Sequence, residues 1–579
     1  MKYLFPYFKK HRLESILAPL FKMLEAMFDL IVPLVVAQII NVGIVSRDKD
    51  YILTRFGILI LMALLGLLCS FTAQYFAARA AIGTSTGLRH QLLAHISTLS
   101  FSELDRIGGS TLITRMTADI NQVQNGVNMF LRLFLRSPFI VFGAMIMAFT
   151  IDRKIALIFL GVIPVLFVIV FGIMKITKPL YKNSQTRLDA VTTSTRENLS
   201  GVRVVRAFGR EKLESENFEK VNNALAEAQL KVGRISALMN PLTYVVVNIG
   251  IVLILWFGAK QVTNGRQTGD VVALVNYLSQ ILVELVKLAN LVVLLGKAIA
   301  SMGRVGQVLD TESSMTYGSV TEAKSGETEA VRFENVSLSY SKEADEAISN
   351  ISFSVNRGET VGVIGSTGSG KSSLISLIAR FYDATEGSVS LLGRPIGEWD
   401  KIALRQKVSV VMQKASLFKG TIRSNLLYGD PNATDERLWS ALESAQAADF
   451  VRAKDGGLDA EVEQGGRNLS GGQKQRLTIA RALVGSPEIL ILDDSSSALD
   501  YATDAALRRE LKKLPDYMSV IIVSQRTSSL MHADKILVLD DGELVGIGAH
   551  DELLKTCDVY REIHESVYGK EEGKNEEKA

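Results

Sequence analysis

The chain has 579 residues with a formal net charge of +3 and 22% charged residues, yet its mean hydropathy is positive, +0.21. That length implies at least two domains, and the hydropathy implies an apolar part joined to a water-soluble part. A charge this close to neutral, with no basic arm, argues against a nucleic-acid partner. Two cysteines far apart, Cys69 and Cys557, argue against a disulfide framework or a thiolate metal site.

The N-terminal stretch "MKYLFPYFKKHR" is basic and amphipathic and is not followed by the short apolar core and small-residue site of a cleaved leader. From there to Asp310 come six apolar runs, each long enough at about 20 residues to cross a bilayer as a helix. They are Ser15–Ile44, Tyr51–Ala81, Val127–Ile151, Ile155–Ile176, Leu238–Ala259 and Val271–Leu295. The connections alternate. "VSRDKD", "DRK" and "KQVTNGRQTGD" are short, whereas Ile82–Gly126 and Thr177–Ala237 are long, polar and patterned as helix.

The long connectors hold Arg89, Arg106, Arg115, Lys178, Lys182, Arg203, Arg206 and Arg210, which places them on the cytoplasmic side. Continuous helix would carry the spans about 25 Å beyond the membrane at 1.5 Å per residue. Each connector breaks at its midpoint, at Phe101–Ser110 and Asn198–Glu211, and a short transverse helix is expected at each break. Charges also fall within the spans: Lys22, Glu25 and Asp29; Arg132 and Arg136; Glu284 and Lys287. Spacings of three and four put each set on one helix face. Their burial cost in lipid implies pairing or a wet cavity. Pro19, Pro33 and Pro138 are expected to kink their helices.

The polar stretch Thr311–Glu329 reads as a linker, and the last residues, "EEGKNEEKA", lack anything to bury and are expected to be disordered. The expected division is therefore a membrane domain over 1–310, a linker over 311–329, a nucleotide-binding domain over 330–570 and a tail over 571–579.

Within the soluble part, "ETVGVIGSTGSGKSSLISLIARF" is a strand, a glycine-rich turn and an amphipathic helix. Gly365, Ser366, Thr367, Gly368, Ser369, Gly370, Lys371 and Ser372, followed by Ser373, have P-loop spacing in the strand–turn–helix context that motif requires. The glycines let backbone N–H groups face a triphosphate at a helix N-terminus. Lys371 is placed to reach the β- and γ-phosphates and Ser372 to ligate Mg²⁺. Downstream, "ILILDD" brings Asp493 to a strand end as a second Mg²⁺ ligand. Gln413, after another strand, can reach the metal or the attacking water. Tyr340 is a candidate to stack on an adenine ring. "LSGGQ" opens a helix with Ser470, Gly471, Gly472 and Gln473, a second anion-binding cap. A cap separate from the P-loop makes sense if it closes on a phosphate held by another subunit.

These motifs and their order resemble the ATP-binding cassette (ABC) transporter family. "GSTGSGKS" is similar to its Walker A, "LSGGQ" to its signature, Gln413 to its Q-loop residue, "SALD" ending in Asp500 to its D-loop, and Tyr340 to its A-loop aromatic. Six spans with two long connectors resemble the type IV exporter. The resemblance therefore implies a membrane α-helical bundle followed by an α/β P-loop cassette, a half-transporter that uses ATP and Mg²⁺.

Two departures carry the finer expectation. Asp494 stands where efficient hydrolysers in the family have Glu, and Gln525 stands where they have the switch His. Gln464 also replaces a Glu common just before the signature. One missing methylene leaves the Asp494 carboxylate about 1.5 Å short, and a misplacement of about 1 Å costs on the order of 100-fold in rate. With Asp494, Gln525 and Gln413 as its catalytic set, the chain resembles the degenerate-site subunit of a heterodimeric, multidrug-type exporter. The partner would be a non-identical half-transporter carrying Glu after its Walker B Asp, and the setting a lipid bilayer. The resemblance places the chain in a bacterial plasma membrane, with N-terminus and cassette cytoplasmic and a small-molecule, lipid or peptide cargo. A homodimeric exporter and an ATP-gated channel or regulatory membrane subunit are the alternatives.

Overall fold

The computed structural model describes residues 2–262, 267–341, 345–495 and 497–566. Part of the "KQVTNGRQTGD" loop and the whole 571–579 tail lie outside them. Contacts divide the chain into two compact units, one of Met1–Ser97 with Gly108–Thr311, the other of Thr98–Ile107 with Glu312–Ala579.

The first unit is helical. Among the described residues, its six membrane-spanning candidates run Arg12–Ile44, Lys49–Ile96, Gly109–Ile151, Arg153–Ser200, Glu211–Val262 and Thr268–Leu309. The second and fourth have 48 residues each, about 72 Å of helix at 1.5 Å per residue. That is more than twice the ~30 Å hydrocarbon thickness, so most of each connector is an extension of a span rather than a loop. Asp152 accepts from the N–H groups of Lys154 and Ile155, and Asp48 from that of Tyr51. These N-caps start the fourth and second spans directly after their short loops.

The first span continues through Pro19 and Pro33. In the third, helix stops at Leu133 and restarts at Arg136, because Pro138 has no N–H to offer the carbonyl of Phe134. The interior of the unit is Ala26, Leu30, Ile140, Ala144, Phe159, Leu166, Tyr277, Leu278 and Ile281, all buried. Small residues at Ala26 and Ala144 let these helices approach closely.

The two connector breaks are short helices, Phe101–Ile107 and Val202–Ala207. The first packs entirely within the second unit: Phe101 lies 4.5 Å, centroid to centroid, from Phe381, and the Tyr382 hydroxyl donates to Asp105. Glu103 is buried and accepts from the hydroxyl of Ser100.

The second unit is α/β. Its strands are β1 (Glu329–Leu338), β2 (Ile348–Asn356), β3 (Thr360–Gly365), β4 (Glu386–Leu391), β5 (Arg394–Pro395), β6 (Val408–Val411), β7 (Gly420–Thr421), β8 (Glu461–Val462), β9 (Ile489–Asp493), β10 (Ser519–Val523), β11 (Lys535–Asp540) and β12 (Glu543–Gly548). The main sheet has the order β12-β11-β3-β10-β9-β6, parallel except for β12. A smaller antiparallel sheet, β2-β1-β4-β5, covers one face.

Strand β9 explains its own composition. Ile489 and Ile491 point into the core shared with the small sheet, while Leu490 and Leu492 point into the core under the helix Gly471–Val484. A parallel strand buried on both faces reads as an unbroken aliphatic run. The segment before β1 is seated on this unit: Val320 N–H donates to Glu398 O, and the Arg380 guanidinium lies 4.7 Å from the Tyr317 ring centre.

Replacing Phe101 by Ala removes an aromatic contact of roughly 0.5–1.5 kcal/mol beyond area burial. Hydrogen exchange of residues 101–107 should rise several-fold in F101A, with nucleotide affinity unchanged.

Candidate functional site

In a parallel sheet, ligands collect beyond the carboxyl ends of the strands. Register decides which residues those are. Val363 pairs with Val523 and Val523 with Asp493, while Leu492 pairs with Val411. The ends of β3, β10, β9 and β6 therefore lie side by side and deliver Gly365, Gln525, Asp493–Asp494 and Gln413 to one edge.

The glycine-rich turn leaves β3 and enters the helix Lys371–Ile378. Gly368 and Gly370 have φ of +89° and +92°, the left-handed region that glycine adopts without strain. A side chain at Gly370 would also meet the Ala347 carbonyl at 2.7 Å, whereas Gly368 faces open space. Lys371 folds over this turn: its Nζ donates to the carbonyls of Gly365 at 3.0 Å and Ser366 at 2.5 Å and to Ser369 Oγ at 3.3 Å. Burial pushes its ammonium below the usual lysine range, opposed by the charges of Asp493 and Asp494. A phosphate here would take over the lysine from weak carbonyl acceptors. Ser372 is exposed at the first turn of the helix.

Asp493 is 7% exposed, and its carboxyl is held above the usual range by burial and then by the adjacent Asp494, against Lys371 and the Gln413 backbone N–H. Two neighbouring carboxylates share one lysine, a local deficit of positive charge. A hydroxyl, a carboxylate and an amide oxygen from Ser372, Asp493 and Gln413 are hard donors of the kind Mg²⁺ takes together with substrate phosphates. The residues present fit that ion.

Asp494 differs from its neighbour. Its φ is +42°, its N–H donates to Val523 O at 3.0 Å, and its Oδ2 accepts from Gln413 Nε2 at 3.3 Å. The sequence put Gln413 toward a metal or a water; the structure puts its amide N–H on Asp494. Gln525 is exposed just past β10, and Gln464 is exposed in the turn Gln464–Gly466.

Tyr340 is half exposed and its hydroxyl lies 2.9 Å from Ser373 Oγ, on the P-loop helix. Tyr382 meets it edge-on at 5.0 Å. Sequence reading missed Phe381 and Tyr382, which hold the Phe101–Ile107 helix. Two aromatics that carry the P-loop helix's apolar period one turn past its end were the available signal.

The "LSGGQ" segment opens the helix Gly471–Val484 with a capping box. Ser470 Oγ accepts from Gln473 N–H and Gln473 Oε1 accepts from Ser470 N–H. The serine hydroxyl hydrogen is left to donate outward. A side chain at Gly472 would meet Ala498 O at 3.1 Å, so the signature and D-loop pack against each other. Asp500 caps the next helix by accepting from Thr503, which draws its carboxyl below the usual range.

Comparison with known proteins decides the family. The profile "ABC transporter transmembrane region" matches residues 15–285, and the profile "ABC transporter" matches 348–497. The "Uncharacterized ABC transporter ATP-binding protein YfiB" of Bacillus subtilis is 34% identical over 98% of both chains. This chain belongs to the ABC transporter family. The transporter is also 31% identical to the "ATP-dependent lipid A-core flippase" of Hahella chejuensis, over 86% of this chain and 85% of that one. Its fold matches that of a bacterial Atm1-family ABC exporter with ATP bound, at a TM-score of 0.77 and 23% identity, over 96% and 98% of the two chains. The transporter thus joins a membrane domain and an ATP-binding cassette in one polypeptide.

Two measurements follow for the transporter. The substitution Gly370→Ala forces an alanine into left-handed backbone against a carbonyl and should cost about 1–3 kcal/mol and abolish nucleotide binding, read by melting and by fluorescent-nucleotide titration. Nucleotide affinity should also fall with rising pH before the ordinary lysine range is reached, because phosphate needs the charged Lys371 and burial favours the neutral form. The same titration in Lys371→Met should lose that slope.

Proposed function

We propose that the chain is one subunit of a two-chain exporter whose own nucleotide site holds ATP and turns it over slowly. The single observation that carries this reading is Asp494, a short carboxylate tied to Gln413 at the strand end where a Glu would project toward the nucleotide. Gln525 beside it has no imidazole to offer and can only hydrogen-bond.

The chain's own residues divide the work. Tyr340 stacks on the adenine, and the N–H groups from Ser366 to Ser373 with Lys371 grip the phosphates. Mg²⁺, when held by Ser372, Gln413 and Asp493, neutralises charge on the phosphate oxygens. Gln413 spends its N–H on Asp494, which leaves its carbonyl oxygen for the metal. Asp494 is too short to polarise an attacking water well, so the bound triphosphate serves as a clamp.

The signature of this chain points to the other half of the work. Ser470, Gly471 and Gly472, with Gln473 fixing the cap and Asp500 beside it, present donors with no P-loop of their own to serve. They complete the hydrolytic site of a non-identical partner that carries Glu after its Walker B Asp. Closure of the paired cassettes reaches the membrane domain through the helices Phe101–Ile107 and Val202–Ala207, on the cytoplasmic side of a bacterial plasma membrane. The kinship with a lipid A-core flippase supports outward movement of a membrane-borne cargo.

Purified alone, the chain should show little ATPase activity, and co-purified with its partner, brisk activity that depends on the partner's Walker lysine. The substitution Asp494→Glu should raise turnover at this site on the order of 100-fold. Vigorous hydrolysis by a self-paired chain would overturn the reading.

A further inference from the structure

Within the helical unit, three helix faces close on one cavity of about 520 Å³. The first span contributes Asp29, Val32, Pro33 and Val36, the sixth contributes Asn276 through Lys287 at the same period, and the third contributes Arg136 and Ile140. Each is a stripe at spacings of three and four. Asp29, Arg136 and Glu284 lie 15 to 16 residues from the short-loop ends of their spans, Ile44, Ile151 and Thr268. That is about 22–24 Å at 1.5 Å per residue, the same depth on all three helices.

The charges are not equally free. Glu284 is 5% exposed and saturated: it accepts from Arg136 at 2.7 Å, Ser137 at 2.8 Å and Lys287 at 2.8 Å. Arg136 is 11% exposed and spans Glu284 and Asp29. Two groups keep capacity toward the cavity. Asp29 is 45% exposed and uses one oxygen, on Arg136 at 2.9 Å, and Lys287 is 42% exposed and donates once, to Glu284. Gln280 Oε1 and Arg136 Nε are buried there without a partner. The rest of the first-span stripe, Val32, Pro33 and Val36, is apolar.

A ligand that fits must bring an ammonium to Asp29 and an anion to Lys287, and lay an apolar chain along the first span. The four charges lining the cavity, Asp29, Glu284, Arg136 and Lys287, sum to zero, so a ligand of net charge would leave one of the two open groups desolvated and unpaired. We infer that this cavity is a binding site for a zwitterionic amphiphile, such as a lipid headgroup that carries an ammonium and a phosphate. This deepens the export reading, on which its role as cargo rests, but binding itself needs neither nucleotide nor partner.

The test uses the full chain in phosphatidylglycerol nanodiscs without nucleotide, with empty discs subtracted. Saturable binding of labelled dodecylphosphocholine is competed with dodecyltrimethylammonium, dodecyl phosphate, dodecyl maltoside and chainless glycerophosphocholine. The zwitterion should bind at least about tenfold tighter than each of the four, because each lacks at least one of its two ionic contacts or its chain. Asp29→Asn should erase its advantage over dodecyl phosphate, and Lys287→Gln its advantage over the quaternary ammonium. Val36→Trp, which fills the cavity without touching a charge, should remove saturable binding. The inference is overturned if wild type shows no saturable component, if both charge variants keep the full preference, or if chainless glycerophosphocholine binds as tightly, which would make the ligand a soluble zwitterion. Because no ATP is present, a failed ATPase or partner experiment leaves this result standing, and the reverse also holds.

Discussion

The burial of β9 on both faces is the constraint on which the nucleotide site depends. Ile489 and Ile491 are locked into one core and Leu490 and Leu492 into another, so the strand can neither slide nor rotate. A slip of one residue would exchange the two faces. Asp493 is thereby set against Lys371, and Asp494 is forced round a left-handed turn to meet Gln413. The same registration aligns β3, β10 and β6, which is why residues up to 160 positions apart in sequence act at one edge.

Binding and cutting make different demands on that edge. Holding a triphosphate requires N–H groups, an ammonium and a metal that together offset its negative charge, and the turn from Gly365 to Ser373 supplies the N–H groups and the ammonium from one short segment. Activating water requires one carboxylate at one distance. Under the proposed reading a single methylene separates the two capacities, so a chain could lose the second while its strand, turn and helix stay intact.

The membrane unit follows a parallel rule. Charges inside a low-dielectric bundle persist when each has a partner, and Lys22 with Glu25 at 2.6 Å shows the closed form of that solution. Around Arg136 the pairing is incomplete: Glu284 takes three donors while Asp29 and Lys287 stay half exposed. Open pairing beside an apolar wall is the property that distinguishes a site from a structural brace.

Six spans, two long connectors with midpoint breaks, and the P-loop, signature and D-loop were legible in the sequence, because hydrophobic period and glycine spacing are local properties. The second and fourth spans proved longer than their apolar runs, since helix continues wherever polar residues keep the 3.6-residue period after the membrane ends. Local pattern was silent on Gln413 bonding to Asp494, on Phe381 and Tyr382 receiving Phe101 and Asp105, and on which of seven intramembrane charges remain open. Those depend on strand register and on which helix faces meet, and both are set by long-range packing of side chains far apart in the chain.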